Sequence, residues 1–154
     1  MEMAEFGERA GRLKARLYRT AVLHLGSESL ALDAVDEAIY RGLLALRKLR
    51  QPEYFETWLT RILINECKRL LRRAKREQPL DALPEAAAED YDALPLRDAI
   101  LRLPPELKEV VLLRYFSGFT LAETARSLEI PPGTAATRQR RALQLLRLEL
   151  TEED

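Results

Sequence analysis

Apolar residues recur at three- and four-residue spacing along nearly the whole chain and never alternate with period two. Leu13, Leu17 and Ala21 outline a first helix that Gly26 stops. Ser27 or Ser29 caps a second helix, with Leu32, Val35, Ile39, Leu43 and Leu46 as its inward stripe. After Pro52 a third pattern runs through Leu59, Leu63, Cys67 and Leu70, with Trp58 and Ile62 alongside. These three predict a bundle with one face left for partners. Further on, a short helix near 96–103 is interrupted by Pro104 and Pro105, and Pro105 suits the first turn of a helix over 106–116. Gly118 closes that helix. Thr120 opens the next with Glu123 three residues on, a capping-box spacing, and Leu121, Ala125 and Leu128 face inward. The turn 129–133 leads to a last helix, capped by Thr134 and running to about Leu150, with Leu143, Leu146 and Leu150 at core spacing. A capped short helix, a turn and a longer helix form the helix-turn-helix pattern. The expected fold is all-α.

Charge divides the chain into parts. The 25 Lys+Arg and 25 Asp+Glu of its 154 residues cancel, which read alone argues against a nucleic-acid partner. Residues 1–77, however, hold 16 basic against 11 acidic side chains. Residues 78–96 hold five acids, no base, and Pro79, Pro84 and Pro95. Residues 97–148 hold nine bases against five acids, and 149–154 carry four acids. Like charge and proline make 78–96 an extended acidic linker between two small helical domains, 1–77 and 97–154. Composition narrows the chemistry further. Hydrophobic residues at 47% exclude a fully disordered chain, and 32% charged residues exclude a membrane-embedded one. No aliphatic run exceeds four residues, and residues 1–6 carry Glu2 and Glu5 without an apolar stretch, so the chain is expected to stay in the cytoplasm. One cysteine and one histidine exclude an internal disulfide, a cysteine cluster and a histidine-based zinc triad.

The last helix carries the strongest chemical signal. Residues 134–141 read Thr-Ala-Ala-Thr-Arg-Gln-Arg-Arg, with no acid before Glu149. In a helix-turn-helix these N-terminal residues meet base edges, and Arg reads guanine through paired acceptors. An Arg-rich solvated face is the plain alternative, and the capped helix before it favours DNA. The run 68–76 holds six bases in nine residues, more than a helix C-terminus needs, and points to phosphate contacts. Cys67 lies on the apolar seam as a small hydrophobe, and His24 near a helix end is structural. Trp58, with Tyr54 and Phe55 nearby, is either core or a platform for unpaired bases. Asp33, Asp36 and Glu37 form an acidic stripe with no sign of a pocket. Nothing assembles a catalytic constellation, so no enzyme, cofactor, metal or small-molecule substrate is expected.

These residues resemble a known family. The segments 33–41, 55–65, 103–107, 112–120 and 133–134, in their order and separation, are similar to RNA polymerase sigma factors of the extracytoplasmic-function (ECF) group, which keep regions 2 and 4 of the sigma-70 architecture. The likeness spans roughly 13–148, and the wording of 34–40 and 52–67 looks most like the sigma-V type. It implies a chain that binds core RNA polymerase and directs promoter-specific initiation at −35 and −10 elements. Asp33, Asp36, Glu37, Tyr40 and Arg41 would match the surface that docks on the β′ clamp helices, and the second domain would meet the β flap. The loop 50–55, with Arg50, Tyr54 and Phe55, and Asn65 would match the pocket for a flipped-out −10 base. Lys68, Arg69, Arg72 and Arg73 would face the −10 region. Thr134, Thr137, Arg138, Arg140 and Arg141 would belong to the −35 recognition helix, and the linker would thread the RNA-exit region.

Three departures accompany the resemblance: Asp36 stands where the family usually has Gln, the −10 loop is about a residue short, and Ala135 with Ala136 shifts the reading load to the arginines. The family also implies an anti-sigma factor, membrane-anchored, that would hold the chain at the inner face of the membrane. A free-standing helix-turn-helix regulator, with a dimerising or sensing N-terminal bundle, stays open as the alternative.

Overall fold

The computed structural model describes residues 1–77 and 94–152, and the expected linker lies almost wholly outside them. Every described element is helical. The order is α1 (Met3–Leu25), α2 (Glu28–Leu44), two short 3₁₀ turns (Leu46–Lys48 and Pro52–Tyr54), α3 (Phe55–Glu77), α4 (Leu94–Arg102), α5 (Pro105–Val111) continued by a π-helical turn (Leu112–Phe116), α6 (Leu121–Leu128) and α7 (Pro132–Glu152). No helix among the described residues is long and apolar enough to cross a membrane.

The first three helices pack around Leu17, Ala21, Leu25, Val35, Phe55, Leu59, Leu63 and Cys67. Gly26 ends α1 at φ 70°, where its amide bonds the Val22 carbonyl, and of the two serines it is Ser27 whose Oγ accepts from the Leu30 amide at 3.3 Å. The inner face of α2 differs from the expected leucine stripe. It is built from Ala31, Ala34, Val35, Ala38 and Gly42, while Leu32 points outward, 51% exposed. Small residues let α2 approach closely: a Cβ at Gly42 would stand 2.9 Å from Leu59 Cδ1 and 3.3 Å from the Phe6 ring. With the bundle's large apolar groups supplied by α1 and α3, leucines on α2 are free to face away.

In the second half, Pro105 starts α5 as expected, but the helix widens after Val111. The Ser117 amide reaches back five residues to the Leu112 carbonyl at 2.9 Å, and Gly118 at φ 73° turns the chain. α6 carries the complete capping box: the Glu123 amide donates to Thr120 Oγ1 at 3.1 Å, and the Thr120 amide to Glu123 Oε1 at 2.8 Å. α7 starts two residues before the expected cap. Pro132 takes the first helical position, where its missing N–H is no loss, and the Pro131 carbonyl accepts from the Thr134 and Ala135 amides, so Thr134 lies inside the helix. The core line of α7 is Ala135, Ala142 and Leu146; Leu143 is exposed, and the side chain of Leu150 lies outside the described residues.

Candidate nucleic-acid interface

The buried line of α7 fixes which residues it offers outward. At 100° per residue, Thr134, Thr137, Arg138 and Arg141 fall within an arc of about 100° on one flank of the helix, with Arg138 nearest the line of Ala135, Ala142 and Leu146 and Thr137 farthest from it. Arg140, also expected in the reading set, lies outside that arc. The helix is held at its second turn by a side chain the sequence did not single out. Arg114, presented by the π-helical turn, donates from Nε to Gln139 Oε1 at 2.8 Å and from Nη1 to the Phe119 carbonyl at 2.7 Å. One guanidinium thus joins the end of α5, the turn before α6 and α7.

Around the first domain's loop the expected −10 residues separate. Arg50 and Tyr54 line a cavity of about 360 Å³ together with Lys48, Trp58, Arg61 and, from α6, Arg126. Phe55 is excluded from such a surface: it is 1% exposed, stacks edge-on against Phe6 at 5.6 Å and packs in the first core, because it opens α3 with its ring turned inward. Trp58 is half-buried, tilted against Phe55 at 6.0 Å, and so serves both core and cavity wall. On α3, Arg61, Asn65, Lys68 and Arg72 follow one line at helical spacing, whereas Arg69 and Arg73 lie toward its flank. Asn65 and Arg72 are exposed; Arg69 pairs with Glu66 at 3.0 Å. The cavity's cations Lys48, Arg61 and Arg126 were invisible to spacing arguments because they come from three separate segments.

The α2 surface combines acids and apolar groups. Asp33 and Asp36 are exposed, and beside them stand Tyr40, Leu32 and Leu44, the last 67% exposed. Exposed apolar residues gathered on one helix face and rimmed by charge mark an interaction site. Glu37 and Arg41 have a second duty: Arg41 pairs with Glu37 at 2.9 Å and with Glu66 of α3 at 2.8 Å, tying the two helices together.

The two halves meet in a largely polar junction. Thr20 and Ser117 hydroxyls stand 3.2 Å apart, Ser127 Oγ donates to the Thr57 carbonyl, and Arg61 pairs with Glu129 at 2.9 Å. The Arg126 guanidinium lies 4.4 Å over the Tyr54 ring. Lys108 Nζ donates to the His24 carbonyl at 2.8 Å, and Glu109 faces both Lys68 Nζ at 3.3 Å and the His24 ring at 3.6 Å. Burial is the main influence on the titrating groups here. It lowers His24 against the opposing pull of Glu109, lowers Lys108, and together with Glu109 and Glu66 pushes the Cys67 thiol up to about 12, which keeps it protonated and inert. Apolar contacts cross as well: Ile64 of α3 is buried with Val110, Leu113, Phe119 and Leu128, and half-buried Leu23 of α1 packs on the cluster of Ile100, Leu103 and Leu112.

Known proteins resemble the chain along most of its length. Residues 10–77 match the sigma-70 region 2 model, and residues 93–146 match that of sigma-70 region 4. The chain is 31% identical over 146 residues to RNA polymerase sigma factor SigV of Bacillus subtilis, covering 92% of this chain and 88% of that protein. It is 33% identical over 132 residues to the ECF RNA polymerase sigma factor SigM of Mycobacterium tuberculosis, covering 82% and 67%. Its fold is shared with the sigma factor RpoE of Bartonella quintana, solved with the anti-sigma factor NepR, at TM-score 0.81 and 22% identity over 96% of this chain and 97% of that one. CnrH, solved with the cytosolic domain of CnrY, gives TM-score 0.78 and 22% identity over 99% and 92%. With both sigma-70 regions matched and relatives at 31% and 33% identity over most of its length, the chain belongs to the ECF RNA polymerase sigma factors of the sigma-70 family.

Proposed function

We propose that this chain carries out promoter recognition with Thr134, Thr137, Arg138 and Arg141 on the −35 duplex and with Arg50, Tyr54, Trp58, Arg61, Asn65, Lys68, Arg72 and Arg73 on the −10 region. The one flank of α7 shared by Thr134, Thr137, Arg138 and Arg141, beside its buried alanines, is the observation that carries this reading. Guanidinium groups there reach base edges, while small Ala136 allows close approach to the groove. At the −10 loop, aromatic faces among cations take an unstacked base, offsetting a flipping cost of a few kcal/mol. The exposed α2 face, with Asp33, Asp36, Tyr40 and Leu32, docks on core polymerase. Its action is binding alone, with no bond made or broken by this chain, and its place is the cytoplasm beside the polymerase. An anti-sigma factor, anchored in the membrane, holds it in reserve; the RpoE structure with NepR, which shares this fold, supports an anti-sigma partner as such and leaves the anchor to the resemblance.

Reaching both elements requires the halves to part. Their centres lie about 25 base pairs apart, roughly 85 Å at 3.4 Å per pair. A closed chain of 154 residues measures about 40 Å across. The 16 residues from 78 to 93 have a contour of about 55 Å, which with the width of the two domains covers the distance. Footprinting of promoter DNA tests this reading. With core polymerase present the chain protects both elements; alone it protects neither fully. A symmetric operator protected by the chain alone points instead to a free-standing regulator and overturns it.

A further inference from the structure

The junction between the halves covers what the proposed promoter role needs exposed. Arg126 of α6 occupies the face of Tyr54, Glu129 holds Arg61, and Glu109 holds Lys68, so three positions of the −10 surface are engaged by the second domain. These outer contacts are partly exposed, and pairs of that kind hold weakly. The centre of the junction is different. His24 is wholly buried and is the chain's single histidine. Among the described residues neither of its ring nitrogens finds a hydrogen-bond partner. Its carbonyl takes the Lys108 ammonium, and its Nε2 faces the Glu109 carboxylate, both from the α5 helix that lies over it.

We propose that this arrangement is a self-masking state closed over the −10 loop by the His24–Lys108–Glu109 junction, and that adding a proton to His24 releases it, so that mild acid exposes the loop. The proposal rests on the promoter reading for its purpose and on the junction's geometry for its mechanism. The groups facing the ring are Lys108 and Glu109 of α5. Behind Glu109 stand Lys68 and the protonated Cys67 thiol of α3, with Glu66 turned to Arg41 and Arg69. α4, also packed on α1, carries Arg97, Asp98 and Arg102, and Arg114 of the π-helical turn is turned to Gln139.

The sign follows from where the proton is welcome. A neutral imidazole fits the closed junction: it is dry, and Lys108 stands beside it. Glu109 favours the charged ring, yet its carboxylate is already shared with Lys68, and burial outweighs it, so His24 sits below its ordinary value in the closed state. When the halves part, the ring meets water and titrates near 6.5. Closure is therefore full above that value and weakens as pH falls through it, by at most tenfold per pH unit for one proton. His24, the chain's single histidine, is the side chain whose ordinary range falls between pH 5.5 and 7.

The test uses the full chain with dyes attached at Arg12→Cys and Gln144→Cys, both exposed positions on α1 and α7. Cys67, buried and held protonated, escapes labelling. Single-molecule energy transfer at pH 7.5, 6.5 and 5.5 reads the ratio of separated to closed molecules, and circular dichroism verifies that helix content is retained. The expected result is a ratio that rises by up to about fivefold between pH 6.5 and 5.5 and stays level in His24→Gln. Glu109→Gln, which leaves Lys68 without its partner, raises the ratio at pH 7.5. A ratio independent of pH, or an equal rise in His24→Gln, overturns the latch, and so does an unchanged ratio in Glu109→Gln. No polymerase or DNA enters the measurement, so its failure is separate from a failure of the promoter reading.

Discussion

Leu63 and Ile64 are adjacent on α3, equally buried, and serve different cores. Leu63 belongs to the first bundle, while Ile64 packs with Val110, Leu113, Phe119 and Leu128 of the second domain. Truncating each to alanine removes a similar volume from a close-packed site, a cost of about 2–5 kcal/mol. For Leu63→Ala that cost falls on the fold of the first bundle. For Ile64→Ala it falls on closure, because a parted chain leaves Ile64 in water in wild type and variant alike. Taking about 2–4 kcal/mol for a site that relaxes on opening, the ratio of separated to closed molecules rises by roughly 30- to 700-fold. Small-angle scattering then reports a larger radius of gyration for Ile64→Ala than for wild type. Hydrogen exchange of the α1 and α2 amides slows or speeds in proportion to the bundle's own stability. Leu63→Ala accelerates it strongly, and Ile64→Ala leaves it close to wild type. Equal acceleration by both substitutions, with no expansion for Ile64→Ala, would refute the assignment of Ile64 to the junction.

Three further outcomes follow from the same geometry. Arg138→Ala and Arg141→Ala each lose about 1–3 kcal/mol at particular −35 base pairs, read as promoter-variant-specific drops in transcription; a loss equal across all sequences removes them from base reading. Neutralising Arg72 and Arg73 to Gln lowers the slope of log affinity against log salt by about one for each phosphate no longer neutralised, and an unchanged slope takes them off the DNA backbone. Thr120→Ala removes the side-chain half of the capping box and lowers the stability of the second domain by about 0.5–2 kcal/mol in denaturant unfolding, with the first bundle unaffected.

Local rules were legible in the sequence wherever one residue settles one hydrogen bond. Gly26, Ser27, Pro105, Gly118 and the Thr120–Glu123 pair do in the fold what their types and spacing imply. Faces were harder. Periodicity counts leucines, yet α2 turns alanines and Gly42 inward to bring its backbone close, which leaves Leu32 and Leu44 outside. Phe55 sits among candidate DNA-facing residues in the chain but opens a helix, where its ring turns into the core. Thr134 yielded the start of α7 to Pro132, because proline fits the first helical position better than its neighbour's hydroxyl requires a cap. The junction was illegible for a different reason. Lys108–His24, Ser127–Thr57 and Thr20–Ser117 join residues 70 to 97 apart through single polar contacts, and no pattern in one helix announces a partner that far along the chain.

The most direct measurement is run-off transcription with core polymerase on a library randomised at the −35 and −10 positions. Promoter recognition through α7 and the −10 loop predicts that this chain yields transcripts from a restricted set of templates, and that Arg138→Ala with Arg141→Ala changes which −35 sequences are chosen while the −10 preference stays. Transcripts absent from every template, or a −35 preference unmoved by the double substitution, would contradict it.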